Sequence, residues 1–255
     1  MPKVNPAGRK IFFSDYTWDE LDKLNDKNNL KLILPFGAIE AHGYHIPVKS
    51  DAFQAEKIAE LAALRVSDAI ILPAVNYGHC VFTRNYCGTI HVSAQTVISL
   101  IGDIAESLHQ HGFRKLVVFN GHGGNKAAIE TALREAFKNL SSDTGSQNED
   151  FKVYQVNAYQ KSADKFATIL QGKDYGHACE IETSVMLALE PELVKMERAV
   201  EEYIEGDPDI IWQIKDMKKE SASATHGAPV YATPEKGQKV LEWLIEELTD
   251  FLKKI

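Results

Sequence analysis

The chain has 255 residues, 44% of them hydrophobic, which is enough to bury a full core, and no linker-like break divides it, so a single domain over residues 1–255 is expected. A net charge of −8 disfavours a nucleic-acid partner, because phosphate binding needs a basic face; plain solubility or carboxylates that hold cations both suit it. No apolar run reaches the roughly 20 residues that cross a bilayer, the first residues (MPKVNPAGRK) carry no apolar signal core, and Cys80, Cys87 and Cys179 match no disulfide or zinc-ribbon spacing, which favours a reducing, cytoplasmic setting.

In chain order, Leu32–Phe36, Ala69–Pro73, Leu116–Asn120 and Phe151–Val156 read as buried strands, rich in leucine and β-branched residues with little alternation. Helical periodicity lies between and after them: Asp51–Leu64 with Ser50 as a candidate N-cap, Gln95–Gln110, Asn125–Leu140, Ile181–Leu189, and an amphipathic helix from Glu235 to Lys254. Alternating strands and helices predict a three-layer α/β/α sandwich with a mainly parallel sheet. The polar stretch Ser141–Asp150 reads as an exposed loop, and the charged, irregular Val200–Ala228 as a lid or a subunit contact. Ligands of such sheets sit beyond the carboxyl ends of the strands, which puts the loops after Phe36, Ala74 and Asn120 on the functional rim.

Those loops hold the unusual residues. Glu40, His42, His45 and Asp51 fall within twelve residues after the first strand. Glu40 and His42 alternate by two, so in an extended segment they point the same way, and Asp51 opens a helix, where the dipole favours an anion. Mixed imidazole and carboxylate donors suit zinc, manganese or iron better than calcium or magnesium. A polar loop with hydrogen-bonded histidines would explain any one of these residues, but explains the set poorly. His45 reads best as a support behind a ligand. The second cluster, Asn120-Gly-His-Gly-Gly-Asn125, joins a strand to a helix and places His122 to complete a metal site. A tight turn with an incidental histidine is the alternative; the motif is neither GxGxxG nor a Walker loop. In the third, His177-Ala-Cys-Glu-Ile-Glu-Thr-Ser184, Glu180 and Glu182 lie about 200° apart around a helix and cannot both face one site. If that helix starts near His177, then His177, Glu180 and Ser184 share a face. Glu180 is then the candidate metal ligand and His177 the candidate proton donor, with Glu182 capping or bracing. Ordinary acidity at a helix start weighs about evenly against this.

Together the three clusters resemble the creatininase (creatinine amidohydrolase) family. The resemblance rests on Pro35-Phe-Gly-Ala-Ile-Glu-Ala-His-Gly-Tyr-His-Ile-Pro47 followed by Asp51, on Asn120–Asn125, on His177–Ser184 with Cys179 in a glycine place, and on Gly227–Gly237. It spans about residues 31–237 and implies two divalent metal ions per subunit, zinc foremost, with manganese or iron as alternatives. Glu40, Asp51 and His122 would hold the first metal. His42, a bridging Asp51 and another glutamate would hold the second. Creatinine-cleaving members carry that glutamate in the glycine-rich turn, where this chain has Gly124; either the ligand is missing or Glu180 replaces it. A metal-activated water would attack an amide carbonyl, with the amides of Gly123 and Gly124 stabilising the oxyanion, and His177 would protonate the leaving nitrogen. Cys80 and Thr83 stand where the family has serine and histidine, making Cys80 a candidate substrate contact. Gln171–Gly176 lacks the tryptophan that closes over creatinine, which argues against creatinine itself. The expected activity is hydrolysis of a cyclic amide or formamide of small size. A peptidase-like or other hydrolase on the same scaffold, and a non-catalytic metal-binding protein, are the alternatives. The resemblance also implies a homo-oligomer, commonly a hexamer.

Overall fold

Four apolar runs form one parallel sheet: β1 (Lys31–Phe36), β2 (Ala69–Ile71), β3 (Lys115–Asn120) and β4 (Lys152–Asn157), in the order β2-β1-β3-β4. The structure is a computed structural model that describes residues 2–140, 151–160, 162–173, 175–205 and 216–255. The expected loop Ser141–Asp150 lies outside them, as does the middle of the Val200–Ala228 stretch. Pairing runs without a slip from Lys31 opposite Lys115 to Phe36 opposite Asn120, and on from Asn120 to Asn157, so these strand ends share one rim.

The chain also forms α1 (Trp18–Asp22), α2 (Ser50–Ala63), α3 (Ala94–Gln110), α4 (Lys126–Leu140), α5 (Ala163–Ala167), α6 (Glu180–Leu189), α7 (Met217–Glu220) and α8 (Pro234–Lys254). The short strands β5 (Tyr175–His177) and β6 (His226–Gly227) pair antiparallel. Successive side chains of a strand point to opposite faces. Ile33, Val117 and Phe119 therefore enter the core under α2, α6 and α8, while Leu32, Leu34, Leu116 and Val118 enter the one under α3 and α4. Both faces of β1, β2 and β3 are covered, which is why these strands read as apolar runs. The edge strand β4 is only partly buried, so the expectation of a buried strand over Phe151–Val156 holds for Phe151 and fails for the rest. The three-layer sandwich is the expected one.

Helix starts follow local chemistry. Ser93 accepts the Thr96 amide at the start of α3, and Thr233 accepts the Lys236 amide at the start of α8, where Pro234 occupies the first turn. The expectation for Ser50 fails: it lies inside α2, and its hydroxyl donates to the Pro47 carbonyl at 2.6 Å instead of capping. On α8, Val240, Leu241, Leu244, Leu248 and Leu252 are buried as their spacing predicts, each worth about 1.5–3 kcal/mol. Gly237 lets α8 cross α6 closely, since a Cβ there would fall 1.8 Å from the Ser184 carbonyl oxygen. Among the described residues, no helix is long and apolar enough to cross a membrane.

Candidate metal centre

The loop leaving β1 dips into the molecule and returns as α2. The Glu40 amide donates to the Val48 carbonyl at 3.0 Å, closing the loop and bringing Asp51, in the first turn of α2, back beside His42. From the next strand end, the Gly121–Asn125 turn delivers His122 to the same point. Glu40, His42, Asp51 and His122 are all buried and in mutual contact.

The histidines share one arrangement. His42 Nδ1 donates to the Glu40 carbonyl (3.1 Å), His122 Nε2 to the His79 carbonyl (3.3 Å), and His177 Nε2 to the Ala41 carbonyl (2.7 Å). Each ring spends one nitrogen on the backbone and aims the other inward, which is how ligating imidazoles are oriented. His42 Nε2 lies 3.0 Å from Asp51 Oδ1. His122 Nδ1 lies 3.0 Å from Asp51 Oδ2 and 2.9 Å from Glu40 Oε1. His177 Nδ1 is 3.8 Å from Glu40 Oε1, and its ring stacks 4.3 Å from that of His42.

Burial lowers the pKa of His42, but the charge and hydrogen bond of Asp51, with Glu40 and Glu182 behind it, outweigh this and push it up to about 10. His122 is raised well above its ordinary value in the same way, against its burial, by Glu40 and Asp51. Burial raises the pKa of Asp51 and Glu40, but the surrounding imidazoles outweigh it and hold both carboxyls below the usual range. Protons thus occupy this cluster as a cation would, and a divalent ion must displace them. The donors fit such an ion. His42 Nε2 and Asp51 Oδ2 are buried without a properly directed hydrogen bond, and groups of that kind are normally satisfied. Three sets of side chains bring ligand atoms within 4.8 Å of one another: Glu40, His42 and His177; Glu40, Cys80 and His122; and His42, Asp51 and Glu182.

The expectation for Glu180 is overturned. It is fully buried, and its carboxylate takes the Lys236 ammonium of α8 and the backbone amides of Gln171 and Gly172. Glu182 stands beside His42 and Asp51 instead. The helix starts at Glu180 and not near His177. His177 lies on β5, Ala178 adopts a left-handed φ of 50°, and Cys179 is extended, so helical spacing cannot be counted from His177. The bracing role expected of Glu182 exists too, since its Oε2 accepts the Cys179 amide at 3.4 Å.

Cys80 also departs from expectation. It is 1% exposed, with its sulfur near Glu40 and His122 and not on an open surface. His45 stays outside all three sets: its Nε2 meets the Thr183 hydroxyl at 2.8 Å, and burial with the charges of His42 and His177 lowers its pKa to about 4. Two residues named from the sequence without a role have one. The Thr83 hydroxyl donates to Glu40 Oε2, and its place at a family histidine position was the clue. Asn125 accepts the His79 amide (2.7 Å) and donates to the Gly37 carbonyl (2.9 Å), tying together the loops that follow β1, β2 and β3; its place in the glycine turn was the available clue. His122 gives the next turn, Gly123–Asn125, no side-chain cap. A cavity of about 360 Å³, lined by Gly123, Lys126, Asn157 and Gln160 among others, adjoins the cluster through Glu182, while Glu40, His42, Asp51, His122 and His177 are not part of its lining.

A family model described as Creatininase: Creatinine amidohydrolase matches residues 14–252. The chain belongs to the creatininase family. It is 29% identical to the creatinine amidohydrolase of Pseudomonas putida, over 96% of this chain and 97% of that one. It is also 29% identical to the 3-dehydro-scyllo-inosose hydrolase of Thermotoga maritima, over 79% of this chain and 62% of that protein. A solved structure described as Creatininase Mn superposes with a TM-score of 0.84 at 27% identity, covering 96% of this chain and 98% of that one. Membership carries the expected class with it, a metal-dependent hydrolase acting on C–N bonds.

Against that family, Gly124 is a structural commitment. A Cβ there would lie 2.4 Å from His122 Nε2 and 2.4 Å from the His79 carbonyl oxygen. The glutamate that creatinine-cleaving members carry in this turn therefore has no room while the His122 ring keeps its hydrogen bond. No tryptophan lines the cavity among the described residues: Trp18, the first residue of α1, is exposed, and Trp243 packs against the core.

Proposed function

We propose that this creatininase-family hydrolase cleaves a polar cyclic amide or formamide other than creatinine, at two divalent cations bridged by Asp51. One observation carries the reading: the two carboxylate oxygens of Asp51 each face a different histidine at 3.0 Å, Oδ1 toward His42 and Oδ2 toward His122. Glu40 and His122 would hold one cation, and His42 and Glu182 the other. Zinc suits these donors best, with manganese or iron next. Cations held there supply the Lewis acidity that activates water and an amide carbonyl. The chain's own groups do the rest. The Gly123 and Gly124 amides can meet a developing oxyanion. His177, its Nε2 committed to the Ala41 carbonyl, keeps Nδ1 toward the cluster and can hand a proton to the departing nitrogen. Lys126 and Gln160, in the lining of the adjoining cavity, favour a substrate with polar groups.

A small-molecule substrate, a cytoplasmic setting and a homo-hexamer go with this reading. Tyr44, Val48, Phe82 and Ile90 are exposed on the two loops that pack around the site, and they supply an apolar surface for a second copy. Metal-loaded protein should hydrolyse members of a panel of lactams and N-formyl heterocycles. His177→Gln should lower kcat about 100- to 10,000-fold with metal content unchanged. No turnover on any panel member, or full activity in His177→Gln, would contradict the assignment.

A further inference from the structure

We propose that Cys80, as a thiolate, is a fourth protein ligand to the cation held by Glu40 and His122, so that one half of the centre is closed by protein donors and the other is open. This rests on the two-cation reading above. Cys80 Sγ lies within 4.8 Å of the ligand atoms of Glu40 and His122, and that set shares no residue with His42, Asp51 and Glu182. Asp51, a member of the second set, turns Oδ2 toward the first: that oxygen lies 3.0 Å from His122 Nδ1 and is buried without a directed hydrogen bond. The first cation then has two carboxylate oxygens, one nitrogen and one sulfur, the four donors of a closed tetrahedral zinc site. The second has three donors, the number that leaves a position free for chemistry.

The sulfur is placed and not incidental. Asn125 holds the backbone of its neighbour His79 against the Gly37 carbonyl. Gly78 has no room for a side chain, a Cβ falling 2.6 Å from the same carbonyl oxygen. The thiol approaches the Gly78 carbonyl at 3.4 Å and also makes a hydrogen-bonding contact with the His122 ring. Binding breaks the S–H bond, forms the sulfur–metal bond and releases one proton to solvent. Three carboxylates (Glu40, Asp51, Glu182) and one thiolate then balance two divalent cations. A thiolate also favours zinc over manganese on this side.

The test loads chelated full-length protein with cobalt(II). The first equivalent should raise a near-ultraviolet thiolate-to-cobalt charge-transfer band, which Cys87→Ser and Cys179→Ser keep and Cys80→Ser loses. Cys80→Ser should bind that equivalent about 100-fold or more weakly. X-ray absorption of the zinc-loaded wild type, which needs no variant, should show a sulfur at about 2.3 Å. Two cobalt ions bound without the band, a band surviving Cys80→Ser, or zinc without sulfur would overturn Cys80 alone. Binding of no cobalt would overturn the metal centre itself.

Discussion

Replacing Asp51 by alanine is expected to strip both cations from the protein and lower activity about a thousand-fold or more. The reason is geometric: Asp51 touches both inward-facing histidines, so its loss removes one donor from each half of the centre. Lewis-acid stabilisation is worth several kcal/mol, and each 1.36 kcal/mol is tenfold in rate. The cation-free protein carries a second signature. His42 is raised from about 6.5 in the unfolded chain to about 10 by Asp51 against its burial. Its contribution to stability is therefore complete below about pH 6.5 and is lost as pH rises through about 10. Chelated wild type should show that alkaline loss and chelated Asp51→Ala should not. Metal analysis and urea unfolding at several pH values check both. An Asp51→Ala protein that keeps two metals would rule out the bridge.

Glu180→Ala is expected to cost about 3–5 kcal/mol of stability while leaving metal content at the wild-type level. Removing one partner of a buried ion pair strands the other charge. Glu180 is fully buried, the Lys236 side chain is 16% exposed, and the amides of Gln171 and Gly172 also end on this carboxylate. The pair pins the start of α8 to the start of α6 and holds the turn that leads to His177. Urea unfolding together with metal analysis separates the outcomes. A metal loss without a stability loss would return Glu180 to the centre as a ligand.

Most of the fold was legible because both faces of β1, β2 and β3 are covered, so each of these strands announced itself as an apolar run, and the amphipathic stripe of α8 was equally plain. The cluster of Glu40, His42, Asp51 and His122 was legible because Glu40, His42 and His122 lie on strand-end loops and Asp51 opens the helix that follows the first of them. Glu180 and Glu182 were not separable. Deciding between them needs the true start of α6, and that start is set by a left-handed alanine at Ala178, a conformation that an alanine does not advertise. Cys80 was located by its position in the family pattern, but the loop that carries it is tied through His79 to Asn125, which follows the next strand of the sequence. Such cross-loop ties leave no periodic trace.

The central claim is that two cations sit on Asp51 and that Glu182 completes the second position in place of the glutamate that Gly124 excludes. Metal content per chain, on protein purified without chelator, tests it directly in wild type and Glu182→Ala. Two equivalents in wild type and one in the variant are predicted. Two equivalents in both would remove Glu182 from the centre, and one in both would contradict a two-metal site altogether.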